Sequence, residues 1–342
     1  MHIGFFNYYE VYNNNRMFMD ASSPIGDDLN YPFVYLGQRI KEAGHKVSTI
    51  DTDDLDSFDI VCFLDMPCSR NRYYENLVDR GFRNLYLILL ESPIIRPDNW
   101  DILNHRHFKK VFTWDGRWVD NEKYFKFFLP NKVPKSLDVD RSLKDRLCTM
   151  ISGNKYVPHS LELYSERMKA IRWFERNHPE DFDLYGIGWN RYRFMGALSF
   201  LNRFPSVAEL MRLKYISYRG AVNTKREVLQ RYKFAICYEN ARDINGYITE
   251  KIFDCFFAGC VPIYLGAPDI AEYIPEGAFI DRRRFAGYKD LYHYIKMMPE
   301  SLYEEYLNNI EDMISSNKLY SFSAEGFADN LMNHFSQDGL IE

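Results

Sequence analysis

The chain is predicted to be an α/β protein built as two Rossmann-like domains facing a cleft. Three observations carry that prediction. Short apolar runs alternate with stretches of helical spacing along the whole sequence. A polar stretch, NKVPKSLDVDRSLKDR (131–146), divides the sequence into two similar halves. Each half repeats the same alternation. Strands separated by helices imply parallel sheets covered on both faces, and 342 residues suit about two domains at roughly 100–200 residues each. The boundaries expected are 1–146 for a first domain and 147–342 for a second, with the C-terminal helices able to pack back on the first.

The elements follow in order. Ile3–Phe6 is a short buried strand. Pro32–Ala43 has Phe33, Leu36 and Ile40 on one helical face, and Gly44 ends it as a residue just past a helix should. Val47–Asp51 and Ile60–Leu64 are strands, Tyr73–Arg80 is a helix, and Asn84–Leu90 is a central strand. Lys110–Trp114 and Phe125–Leu129 complete the first half. In the second, Leu147–Ile151 is a strand and His159–Asn177 a long helix with Leu161, Tyr164, Met168 and Ile171 at helical spacing. Asp183–Gly186 is a strand and turn, Lys225–Tyr232 a helix, and Phe234–Tyr238 a strand. Phe279–Ile280 is a short strand, and helices are expected near 289–297, 301–315 and 324–335. No short-period repeat or low-complexity tract interrupts the pattern.

Composition excludes several classes. Hydrophobic residues make up 46% and charged ones 27%, enough for a real core. The net charge of −5 lacks the basic field of a nucleic-acid binder. Cys62, Cys68, Cys148, Cys237, Cys255 and Cys260 show no metal spacing and no C-x-x-C pair, so reduced thiols are expected. The opening MHIGFFNYYEVYNNN has no basic start and no long apolar core. No run reaches the roughly 20 apolar residues of a membrane span. The expectation is a cytoplasmic protein, with room for peripheral contact with an inner membrane. Leu302–Ile314 is acidic and so a poor helix for an anionic surface.

The chemistry gathers in Phe234–Leu265, FAICYENARDINGYITEKIFDCFFAGCVPIYL. The segment reads strand, polar loop, helix from Thr249-Glu250-Lys251, Gly259, second strand. The N-terminus of a helix offers free N–H groups and partial positive charge, a natural seat for phosphate. Lys251 adds a full charge there, and Glu250 can hold ribose hydroxyls. Either residue could equally be an ordinary first-turn residue. Ile252, Phe253, Phe256 and Phe257 read as core. Glu239 fits two roles, orienting a ligand or satisfying backbone groups.

With Tyr238-Glu239-Asn240, Tyr247-Ile248-Thr249-Glu250-Lys251 and Ala258-Gly259-Cys260-Val261-Pro262-Ile263 in order, the chain resembles the α-1,3-fucosyltransferase family, of bacterial type. Asp183-Leu184-Tyr185-Gly186, Tyr232-Lys233-Phe234 and Phe279-Ile280 support this. The resemblance is detailed over 147–285 and thin before it. It implies a two-Rossmann fold of the GT-B type and a GDP-fucose donor. It also implies inversion at the anomeric carbon, from the β-L-fucosyl donor to an α-linked product. It places Asn240, Tyr247, Glu250 and Lys251 on the donor. An Arg gripping the diphosphate is also implied; Arg219 is preferred, with Lys225 and Arg226 as alternatives. An O3 hydroxyl of N-acetylglucosamine or glucose, in a lipopolysaccharide or Lewis-type glycan, is the expected acceptor.

An inverting transfer needs a base for the acceptor hydroxyl, usually a carboxylate. Glu91 leaves the strand Asn84–Leu90 in a Leu90-Glu91-Ser92-Pro93 context that matches the family's base. Carboxylates at strand C-terminal ends face the ligand crevice of α/β sheets. Asp65, in Phe63-Leu64-Asp65-Met66-Pro67, is the competing candidate. His105 and His107 read as surface residues and His159 as a helix-start residue. The acidic pairs Asp51/Asp53 and Asp138/Asp140 could suggest a metal, but no obligatory metal or other cofactor is expected, because Lys251 and an Arg supply the positive charge. Two other readings stay open: another GDP-linked donor sugar, and a non-catalytic relative that only binds nucleotide or glycan.

Overall fold

The computed structural model describes residues 1–21, 27–68, 70–190, 196–204 and 215–338. Within them the chain forms two six-stranded sheets, and every strand pairing is parallel. Contacts group Met1–Val133, Ile244–Glu250 and the chain from Asn317 onward into one unit. Pro134–Asp243 and Lys251–Ser316 form the other. The division falls at Val133/Pro134, at the start of the polar stretch, and the end of the chain returns to the first unit.

The first unit begins with β1 (His2–Phe6), α1 (Tyr31–Glu42), β2 (Lys46–Thr49) and β3 (Ile60–Leu64). It continues with α2 (Arg72–Asp79), β4 (Leu85–Ile88), β5 (Lys110–Thr113) and β6 (Tyr124–Lys126). Sheet order is β2-β1-β3-β4-β5-β6. The order reverses at β1/β3, so the crevice for a ligand lies beyond the C-terminal ends of those strands. β3 and β4 are buried along their whole length, which is why both read as unbroken apolar runs. Asn71 caps α2 by accepting from the N–H groups of Tyr73 and Tyr74 at 3.1 and 3.0 Å.

The second unit carries β7 (Arg146–Ile151), α3 (Tyr164–Asn177), β8 (Phe182–Tyr185), β9 (Tyr218–Gly220), α4 (Lys225–Leu229) and β10 (Tyr232–Tyr238). It continues with α5 (Glu250–Phe257), whose first residue counts with the first unit, then β11 (Val261–Leu265), β12 (Ile280–Asp281), α6 (Tyr288–Lys296) and α7 (Glu300–Ser315). Sheet order is β12-β11-β10-β7-β8-β9, a doubly wound arrangement whose switch point is β7/β10. The loop after β10 therefore starts at the preferred ligand crevice.

α8 (Ala324–Gln337) belongs to the first unit, and its Phe327 ring meets Phe33 of α1 edge-on at 5.6 Å. Two features depart from the expected pattern beyond small shifts of element ends. The helix expected from His159 starts at Tyr164, because the backbone of 161–163 bonds to the loop after β10: Leu163 N–H donates to Asn240 O at 3.1 Å, and Arg242 N–H to Leu161 O at 2.9 Å. β9 adds an edge strand that the apolar pattern does not mark. Among the described residues no helix is long and apolar enough to cross a membrane. All six cysteines are free; Cys68 is exposed and the other five are buried.

Candidate functional site

In the second unit the site is built where β10 ends. Glu239, the first residue past the strand, is fully buried, and its N–H donates to Leu265 O at the end of β11, 2.8 Å away. A Cβ on Gly266 would lie 2.5 Å from Glu239 Cγ, so the backbone of β11's exit closes directly over this side chain. Lys251 Nζ donates to Glu239 Oε2 at 3.3 Å, with the lysine side chain 25% exposed. A carboxylate this deep is tolerated only when paired. Lys251 is thus held at the first turn of α5, with its stem along protein and its head partly open to solvent.

Behind this pair stands Arg167 of α3, 5% exposed. Its Nη2 donates to Tyr238 O at 2.6 Å, Glu239 O at 2.8 Å and Asn240 Oδ1 at 3.1 Å. One buried cation thereby fixes two successive carbonyls and orients the Asn240 amide. Glu239, read beforehand as orienting a ligand or satisfying backbone groups, anchors Lys251 through its side chain while its backbone is anchored by Arg167. Arg167 itself carried no signal in the sequence: a single Arg on an amphipathic helix looks like any solvated residue.

Arg219 is placed elsewhere. Its Nε donates to Asp183 Oδ1 at 2.5 Å, and the other oxygen of Asp183 accepts from Arg146 at 2.5 Å and from the Tyr232 hydroxyl at 2.7 Å. By register Asp183 lies level with Thr149 of β7 and, through it, with Ala235 in the middle of β10. The buried Asp183 carboxylate thereby holds the Arg219 guanidinium at mid-strand level, short of the exit of β10 where Glu239 and Asn240 follow. Its neighbours hold Asp183 below the usual carboxylate range, against the opposing effect of burial. Of the alternatives, Lys225 pairs with Asp254 of α5 at 2.6 Å and Arg226 donates to Asp138 O at 3.2 Å.

Ile244–Glu250 packs within the first unit. The Tyr247 ring, buried, lies 4.9 Å from that of Trp114. Gly246 has φ +74°, and a Cβ there would sit 2.3 Å from Trp114 O. Glycine is required on both counts.

Glu91 of the same unit follows β4 and is half-buried. Its backbone is gripped from both sides. Asp65 Oδ1 accepts from Leu90 N–H at 2.7 Å and Glu91 N–H at 3.0 Å, while Trp100 Nε1 donates to Glu91 O at 3.1 Å. Asp65 is buried, and its carboxyl is pushed above the usual range by that burial, moderated by the N–H donors. Its carboxylate spans the exits of two neighbouring strands, a bracing role rather than that of a solvent-facing base. Tyr9, exposed beyond β1, senses Glu91 and Asp65: burial first, then their negative charge, raises its phenol. His105, expected at the surface, is buried, with its ring nitrogens 3.0 Å from Asn99 O and 3.1 Å from the Tyr124 hydroxyl. Burial lowers its pKa.

The acidic pairs are engaged locally. Asp53 pairs with Lys46 at 2.6 Å and is held down to about 2, chiefly by that bond. Asp51 accepts from Asn14 N–H at 2.8 Å, and Asp140 from Ser142 N–H at 2.9 Å. Among the described residues no group of three or more His, Cys, Asp or Glu could hold a metal ion.

The fold of these two parallel α/β units is of the GT-B type, shared with solved glycosyltransferase structures. Residues 199–324 match the family model described as glycosyltransferase family 10 (fucosyltransferase), C-terminal region. An α-(1,3)-fucosyltransferase of Helicobacter pylori is 35% identical over 97 residues, 26% of this chain and 20% of that protein. A GDP-fucose protein O-fucosyltransferase 3 of Xenopus laevis is 34% identical over 102 residues, 29% of this chain and 22% of that protein. The matched stretch thus spans about a fifth of these relatives. Crystal structures of an α1,3-fucosyltransferase, one of them with GDP-fucose, superpose with TM-scores of 0.56 and 0.51 at 16% and 17% identity. They cover 91% of this chain and 82% of theirs, and share its fold. Over residues 199–324 the chain is similar to the C-terminal region of the family-10 fucosyltransferases.

Proposed function

We propose that the protein is an inverting fucosyltransferase, moving L-fucose from GDP-β-L-fucose to a hydroxyl of a glycan, with O3 of N-acetylglucosamine or glucose the acceptor position. The observation that carries this reading is the placement of Lys251. It stands at the start of α5, beyond the switch point of a doubly wound sheet, anchored by a fully buried glutamate. That is a seat for a leaving diphosphate.

In this reading Glu91 takes the proton of the acceptor hydroxyl as its oxygen attacks C1 of the fucosyl group. The new C1–O bond forms as the bond from C1 to the β-phosphate oxygen breaks. The configuration inverts, and the charge arriving on GDP is met by Lys251 and the helix N-terminus. Glu250 accepts from the ribose hydroxyls, and Asn240 and Tyr247 line the donor. Arg219, paired with Asp183, is left out of the diphosphate grip. No obligatory metal is invoked. A lipid-linked or lipopolysaccharide glycan as acceptor would bring the protein to the cytoplasmic face of a membrane.

The test is a donor screen with purified protein, following nucleotide release and product across GDP- and UDP-sugars with β-galactosyl-N-acetylglucosamine acceptors, with and without EDTA. Transfer from GDP-fucose that survives EDTA is expected. Preference for another GDP-sugar moves the donor assignment. A Mn²⁺-rescued loss brings the acidic pairs back, and nucleotide binding without transfer makes the chain a binding protein.

A further inference from the structure

Asp65 has φ +61°, a left-handed conformation rare outside glycine. The kink comes directly after β3 and turns the carboxylate sideways, toward the exit of β4. There its Oδ1 accepts from three donors: Leu90 N–H at 2.7 Å, Glu91 N–H at 3.0 Å and Asn99 Nδ2 at 2.6 Å. Asn99 is fully buried and completes a ring: its Oδ1 accepts from Met66 N–H at 2.7 Å, and its Nδ2 lies 3.4 Å from Glu91 O. His105 backs Asn99 through the carbonyl, 3.0 Å away.

Core packing does not account for this arrangement. Any apolar pair could join two strand exits, whereas a buried carboxylate is costly and persists where its donors are fixed. Residues held in sparsely populated backbone conformations gather at functional sites. The ring closes on one residue, Glu91, whose N–H and C=O are both held. A base must sit within hydrogen-bond reach of the proton it takes, and a 1 Å misplacement can cost about 100-fold.

We propose that Asp65 and Asn99 are positioning residues that fix the Glu91 peptide and so aim its carboxylate at the acceptor hydroxyl. The inference rests on Glu91 being the base. Asp65 does not exchange protons with substrate in this scheme; its Oδ1 serves backbone and Asn99 N–H groups.

The test compares Asp65→Ala, Asp65→Asn, Trp100→Phe and Glu91→Gln in steady-state transfer and in GDP calorimetry. Asp65→Ala strands three donors and should lower kcat about 100-fold. Asp65→Asn keeps one acceptor oxygen and should recover part of that loss. Trp100→Phe keeps Asp65 and Asn99 in place and removes the bond to Glu91 O, with some ring contact to Trp114 and Trp118, and should cost a few-fold in kcat. In all three, GDP affinity and KM for the donor stay within about twofold, a split that general loosening of the fold would not produce. Should Asp65→Ala fail to fold, Asp65→Asn and Trp100→Phe decide. Unchanged kcat in both, with Glu91→Gln inactive, overturns the clamp while leaving the base in place. Turnover retained by Glu91→Gln removes the base assignment, and the clamp's role goes with it.

Discussion

At the scale of single residues, Lys251 and Glu239 must be understood together. Glu239 is fully buried and Lys251 is its cation. Removing one member of a buried pair usually costs about 3–5 kcal/mol, because the other charge is left without a partner. Partial exposure of Lys251 lets water soften that here, so Lys251→Ala should lose about 2–4 kcal/mol in chemical denaturation. The double variant Lys251→Met with Glu239→Gln removes both charges and should regain most of the stability. It should still fail to bind GDP tightly by calorimetry. Recovery of both stability and affinity would take Lys251 off the diphosphate. Arg219→Ala is the matched control. Its guanidinium serves Asp183, which keeps Arg146 and Tyr232, so GDP affinity should move less than about threefold, under 1 kcal/mol. A larger drop would restore Arg219 to the donor.

At the scale of elements, the strand pattern was legible because strands buried on both faces are written as short apolar runs. β3 matches its expected bounds residue for residue, and β1, β7 and β11 lie where the apolar runs do. Residues whose partners are remote in sequence were not legible. The stretch 161–163 has helical spacing, yet pairing with the loop after β10 claims its backbone. Arg167 looks ordinary until the fold brings β10 to it, and Asp65, read as a competing base, shows its bonds to the exit of β4 only in the fold. Gly246 lies between these cases. It falls in a polar loop, but the need for it comes from Trp114 O and a φ of +74°. Gly246→Ala should strain the backbone by about 1–2 kcal/mol, with the clash added, and displace Tyr247 from Trp114. The expected readout is a lower melting temperature together with weaker GDP binding. A variant that melts lower but binds GDP normally would show that the packing of 244–250 is structural alone.

At the scale of the whole molecule, the chain leaves its first unit at Val133 and finishes there with α8. Arg39 of α1 pairs with Asp329 at 3.1 Å, and Lys110 of β5 pairs with Asp338 at 2.9 Å. Asn131 exchanges backbone bonds with Phe322 and Ala324 at 2.7 and 2.9 Å, and Tyr86 stacks on Phe335 at 5.6 Å. His334 is lodged among these, its ring 4.2 Å from that of Phe125 and 5.1 Å from that of Phe112. Burial first, then Lys110, lowers its pKa to about 4, with Asp338 opposing. The unfolded chain carries this imidazole near 6.5, so between about pH 6.5 and 4 the unfolded state binds a proton that the folded state refuses. Stability then rises with pH through that window and is lost as pH falls through it. His334→Phe keeps the ring and removes the titration, so its melting temperature should depend less on pH from 6.5 to 4 than the parent's. The comparison needs only thermal melts of both proteins at several pH values, with the unit reporting through the Trp100, Trp114 and Trp118 cluster. Parallel pH curves would mean that His334 protonates without resistance, and that α8 is fastened by its apolar contacts and the Asp338 and Asp329 pairs instead.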